Sequence, residues 1–131
     1  MSDAPLITLA VVMFCASVLD LGGLWGAAYA GSRPGARRTS LAGIRTGKLM
    51  ASDEAWRVGH TEALRWAKLG ALSLVVPGVV VLLLLGVAPG AAAVLETLLF
   101  VAGLVLLFLT VRAAHRAVDA GQAGSPSSSA R

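Results

Sequence analysis

Three long stretches almost free of charge constrain this chain more than anything else in it. Residues 6–30 contain one acid, Asp20, and no Lys or Arg; residues 69–88 contain no charged side chain; residues 91–111 contain only Glu96. An α-helix rises about 1.5 Å per residue, so about 20 apolar residues cross a hydrocarbon core roughly 30 Å thick. Each stretch is long enough to do so. Lipid offers no partner to backbone N–H and C=O groups, so spanning segments must satisfy them internally, as helices do. A β-barrel would need many short alternating segments, and these blocks do not alternate. A soluble helical bundle is disfavoured because uncharged runs of this length are rare in soluble domains.

Charge gives the orientation. The chain has 11 Lys and Arg against 7 acids. Eight of the basic residues, from Arg33 to Lys68, lie between the first and second stretches, and Arg112, Arg116 and Arg131 follow the third. None precedes the first stretch or lies in the turn between the second and third. With three spans every cation falls on one side, and cytoplasmic loops carry the Lys and Arg excess. The expected fold is therefore an all-α membrane protein with three transmembrane helices, N-terminus outside and C-terminus inside. The spans are expected over about residues 6–28, 69–88 and 91–111, with a cytoplasmic loop and short helix over 31–68. One membrane domain covers 1–116, and the Gly-, Ser- and Pro-rich tail within 117–131 is expected to be disordered. Ala28-Tyr29-Ala30 has the A-x-A form of a signal-peptidase site. No cation precedes the block, and it is too long for a signal h-region, so cleavage is not expected.

Local chemistry subdivides this frame. Gly22 and Gly26 form a G-x-x-x-G pair beside Gly23 and Ala27, a surface that allows close helix approach by another span or a second copy. Gly31-Ser32-Arg33-Pro34-Gly35 is expected to end the first helix. Ser52 followed by Asp53 and Glu54 reads as a helix start, with Trp56, His60, Ala63 and Ala67 on one face. That helix is expected to run into the second span, with Arg65, Trp66 and Lys68 at the boundary, and Pro77-Gly78 is expected to kink it. Ala88-Pro89-Gly90 reads as a tight turn. Asp20 lies about 20 Å into its helix. A carboxylate there calls for a partner such as His60, Arg57 or Arg65, a proton, or a hydrogen bond at a small-residue interface. Glu96 is expected to reach the headgroups from the outer end of its span.

The segment between the first two spans carries a recognisable pattern: Gly43-Ile44-Arg45-Thr46, then Ser52, then Trp56, and His60 four residues after the Trp, with a span directly behind. This resembles the SdpI-type family of small bacterial membrane proteins, in actinobacterial form, over roughly residues 1–116. Gly47 stands where family members usually have Pro, Thr39 or Ser40 where many have Asn, and Thr61 where many have Arg. The resemblance implies a multi-pass protein of the bacterial inner membrane, and a role in immunity to a membrane-active toxin or in signal relay through a membrane-held partner.

From the residues themselves, Gly43, Ile44, Arg45, Thr46, Ser52, Trp56, Arg57 and His60 are the candidate ligand- or partner-binding set. Arg45 offers a rigid fork of donors, and Arg57 and Arg65 can attract lipid phosphates. The plainer alternative is that Arg45 and Thr46 tie the loop to helix ends while Trp56 anchors the interface. No catalytic residue, metal site or cofactor is expected, because His60 and His115 are isolated in sequence, Cys15 is single and no nucleophile has a base beside it. Nucleic acid is not an expected partner; the bilayer, a membrane-protein partner or a second copy are. Three roles remain open: a non-enzymatic SdpI-type protein, an accessory subunit of a larger membrane complex, and a small proton-linked transporter or channel using Asp20 and His60.

Overall fold

A computed structural model describes residues 3–38 and 43–124. Regular structure among the described residues is helical throughout. Helix α1 runs over Ala4–Ser32. Helix α2, Asp53–Gly70, continues without a break through a π-helical turn at Ala71–Val75, helix α3 at Val76–Leu82 and a 3₁₀ turn at Leu83–Gly86. Helix α4 runs over Pro89–Ala123. Three helical rods result, each long and apolar enough to cross a membrane, and α1, α2 and α4 pack on one another pairwise.

The rods overrun their expected limits for local reasons. Pro5 stands in the first turn of α1 and Pro89 in that of α4, where a missing N–H costs nothing. Pro89-Gly90 therefore opens α4 instead of closing the turn. That turn is made by Gly86, Val87 and Ala88, with the Val87 and Ala88 N–H groups both on the Leu84 carbonyl at 3.0 and 2.7 Å. At the far end α4 does not stop near Val111. Val118 stays buried against α1 and α2, which keeps the chain helical to Ala123, so the first part of the expected tail is ordered helix. Residues 125–131 of that tail, and Thr39 and Ser40, lie outside the described residues. Pro77 lacks an N–H, and its ring crowds the carbonyl one turn back. The π-helical turn immediately before it takes up this misfit within a continuous rod.

Large apolar side chains along the spans face outward: Leu19 is 76% exposed and Leu83 77%. A soluble bundle would bury them; in a bilayer they meet lipid. The interior is lined by small residues, Ala10, Ala28, Ala63, Ala67, Ala92 and Ala114 among them, which bring the helix backbones close. A buried apolar cluster sits at the loop-bearing end, where Leu49 joins Ala28, Ala55, Ala63, Ala114 and Val118, and Ile44 packs on it.

Close approach between the rods uses glycines other than the G-x-x-x-G pair. A methyl group on Gly70 would overlap Leu106 of α4, and one on Gly78 would come within 3.0 Å of Phe14 of α1. A methyl group on Gly22, Gly23 or Gly26 would meet nothing within 4 Å, so among the described residues they pack against no other span.

Candidate functional site

The residues of the loop pattern converge on one face of α2. Ser52 caps that helix, its hydroxyl accepting the Ala55 N–H at 2.9 Å, and Asp53 and Glu54 occupy the positive first turn. The cap fixes the rotation of α2, and Trp56, Gly59, His60 and Ala63 then point inward as one buried stripe. Gly43 adopts φ +106°, a conformation that side chains disfavour, and a Cβ there would stand 2.5 Å from the Trp56 ring and 2.7 Å from His60 Nε2. Glycine is thus required both by its backbone angle and by the lack of space.

His60 is fully buried and locks the loop down. The Ile44 N–H donates to His60 Nε2 at 2.9 Å, and His60 Nδ1–H donates to the Trp56 carbonyl at 2.7 Å. A backbone N–H can only donate and a carbonyl only accept, so these contacts fix a neutral ring with its proton on Nδ1. Burial holds the His60 pKa below its ordinary value of 6.5, against an opposing contribution from the Trp56 carbonyl. The Trp56 and His60 rings lie 4.1 Å apart between centroids. Beneath them is Gly31 of α1, where a methyl group would overlap the imidazole. Gly31 is therefore a buried packing residue inside α1, not part of the helix break.

Further along, the loop reaches α4. The Thr46 hydroxyl and His115 Nε2 are 2.7 Å apart, and Lys48 Nζ donates to both oxygens of Asp119 at 2.8 and 2.7 Å. Leu49 fills the space left by Gly59. Before the loop, Arg38 bonds Asp53 at 2.9 Å and the Met50 carbonyl at 2.8 Å, and this contact holds the Asp53 carboxyl below its usual pKa. Arg57 pairs with Glu54 on its own helix. The loop is thus fastened to α2 through His60 and to α4 through His115 and Asp119, while His60 packs on Gly31 of α1 and Leu49 shares a buried cluster with Ala28 of α1. Of the candidate set, Gly43, Ile44, Trp56 and His60 are brought together, while Thr46 reaches His115 of α4 and Ser52 caps α2. Arg45 is exposed at the edge of the assembly, and Arg57 lies apart from it. Trp56 is 1% exposed, so it belongs to the clamp and not to the membrane interface. Trp66, expected at the boundary, is half-buried and donates its Nε1–H to Glu62 at 3.0 Å.

The sequence of the clamped loop is that of a known family. The profile of the SdpI/YfhL protein family matches residues 36–111, more than half of the chain. The chain belongs to the SdpI/YfhL protein family. No curated protein and no solved structure matches it. The SdpI match covers the loop, α2 with its continuation, and most of α4; Gly31, His115 and Asp119 of the clamp lie outside it.

The intramembrane acids behave differently from one another. Asp20 is half-buried on α1, and two of its expected partners are taken: both His60 nitrogens are held by backbone, and Arg57 by Glu54. Glu96 does not reach headgroups. It is 1% exposed, neither carboxyl oxygen has a hydrogen-bond partner among the described residues, and Oε2 lies 3.4 Å from where a Cβ on Gly78 would be. The signal for this was in the sequence. Ala92, Ala93, Gly103, Thr110 and Ala114 mark the inner face of α4 at helical spacing, and Glu96 falls on the same stripe. His115, isolated in sequence, meets Thr46 only through the fold. Among the described residues no group of three His, Cys, Asp or Glu side chains converges to hold a metal.

Proposed function

We propose that this SdpI-family protein acts without catalysis, as a multi-pass protein of a bacterial cell membrane that relays the recognition of a membrane-active peptide or a membrane-held partner. On this reading the clamped loop faces the cytoplasm and presents Arg45 to the partner. The observation that carries it is the fastening of one loop to α2 and α4, through His60, Thr46 and Lys48, with the same His60 packed on Gly31 of α1. A ligand that shifts α2 against α4 in the bilayer must strain these contacts, so the loop surface reports the displacement. Toxin immunity and signal relay are two outputs of the same device. The test is genetic. Cells lacking the protein become sensitive to a membrane-active killing peptide; wild type restores resistance and Arg45→Ala does not. Equal resistance with and without the protein overturns the immunity output, and full rescue by Arg45→Ala overturns the role of the loop surface.

An accessory role in a larger membrane complex is favoured by a separate observation: the open surface at Gly22, Gly23 and Gly26. A stoichiometric partner retained in mild detergent and lost in Gly22→Leu supports that reading. A proton path through Asp20 and His60 is disfavoured, because both imidazole nitrogens are committed to backbone groups.

A further inference from the structure

Beside the clamp, on the flank shared by α2 and α4, two grooves meet. The first has a volume of about 600 Å³ and is lined by Glu62, Trp66, Leu109, Arg112 and Arg116, with small residues between. The second, about 320 Å³, shares Trp66 and Leu109 and continues along Gly70, Leu74, Ala102 and Leu106. Polar groups line the first, whereas apart from Ser73 the second is apolar. Its wall includes Ser73 and Leu74 of the π-helical turn, and widened turns of this kind recur at functional sites.

Arg112 and Arg116 are one helical turn apart, so both guanidinium groups serve the same groove. The ion pairs among the described residues, Arg38–Asp53, Lys48–Asp119 and Arg57–Glu54, involve neither of them. The single carboxylate in the groove, Glu62, accepts the Trp66 indole N–H, which leaves two cations facing one acid. From Arg116 to Ala102 the groove follows α4 for about 20 Å, toward the middle of the span.

We propose that this continuous groove binds one anionic phospholipid. Its phosphate sits between Arg112 and Arg116, its glycerol region lies against Trp66, and one acyl chain runs along Leu109, Leu106 and Leu74. Charge complementarity selects the occupant. Basic pockets between membrane helices favour anionic headgroups, whereas a zwitterionic head would place its own cation beside two arginines. The apolar continuation requires a ligand with a chain, which separates a lipid from free phosphate. The site is independent of the loop clamp and of what the clamp reports.

The experiment uses the full chain in mixed micelles where phosphatidylglycerol and phosphatidylcholine compete, with retained lipid read by native mass spectrometry. Wild type is expected to retain phosphatidylglycerol about ten-fold over phosphatidylcholine. Arg112→Gln with Arg116→Gln abolishes that preference. Arg33→Gln with Arg37→Gln, an equal loss of charge outside the groove, leaves it intact. Ala102→Phe narrows the apolar part while sparing both arginines, and it lowers phosphatidylglycerol retention. Arg112→Lys with Arg116→Lys keeps the charge and much of the preference; it decides the matter if the glutamine pair fails to fold. Equal retention of the two lipids by wild type overturns the proposal, as does equal loss of preference in the Arg33/Arg37 variant. Displacement of the lipid by inorganic phosphate, together with indifference to Ala102→Phe, would reduce the groove to a phosphate site and overturn it too.

Discussion

Individual residues in this molecule are held by what they are not allowed to do. His60 is not allowed a second proton: Nε2 already accepts the Ile44 N–H, so protonation would set two N–H groups against each other. Its folded pKa lies below 6.5, so as pH falls below that value the unfolded chain takes up a proton that the folded chain refuses. Stability is therefore fullest above pH 6.5 and falls below it, until the folded imidazole itself titrates. Thermal melting in detergent across this range reads the effect, which shrinks in His60→Gln; an unchanged pH response in that variant would remove His60 as its source. Glu96 presents the opposite case, a buried carboxyl with no partner for either oxygen among the described residues. Replacing such a group by an apolar one of similar shape removes a desolvation cost of roughly 1–3 kcal/mol. Glu96→Met is expected to raise the melting temperature, and a lowered one would show that the carboxyl is bonded in the membrane.

At the scale of elements, the same residue type has opposite value in different places. Gly70 touches Leu106 across the α2–α4 contact, whereas Gly22 faces open space on α1. Gly70→Ala must push a packed leucine aside, at a cost of roughly 1–3 kcal/mol. Gly22→Ala meets nothing among the described residues and replaces a poor helix former, a gain of up to about 1 kcal/mol. Melting of the two variants side by side tests the contrast, and equal effects would mean that the rods do not pack at Gly70. The elements themselves were largely readable in advance. Ser52 announced the start of α2, and the 56, 60, 63, 67 spacing announced its buried face, because both depend on neighbours within two turns. The length of α4 was not readable, since what extends it past Val111 is burial of Ala114 and Val118 against other rods.

For the whole molecule, the distribution of charge makes a prediction of its own. With the cations of the loop and of the end of α4 at one end of the bundle, that end is expected in the cytoplasm. Starting from Cys15→Ser, which removes the single cysteine, a cysteine at Gly86 should react with an impermeant maleimide in intact cells. One at Gly47 should react only after permeabilisation. Labelling at Gly47 in intact cells would invert the topology and place the clamp outside.

The sequence alone determined the number of spans, their helical form and the pattern that marks the family, because each is a matter of local composition: apolar length against bilayer thickness, and residue types at fixed spacing. Only the tertiary structure decided which of the marked residues meet. His60 under Ile44, Thr46 on His115 and Lys48 on Asp119 join positions 16, 69 and 71 residues apart. Which glycines are crowded, and that Glu96 turns inward, depend equally on how the three rods rotate against one another. Rotation is set by the summed packing of many small side chains, and no single stretch of the chain encodes that sum.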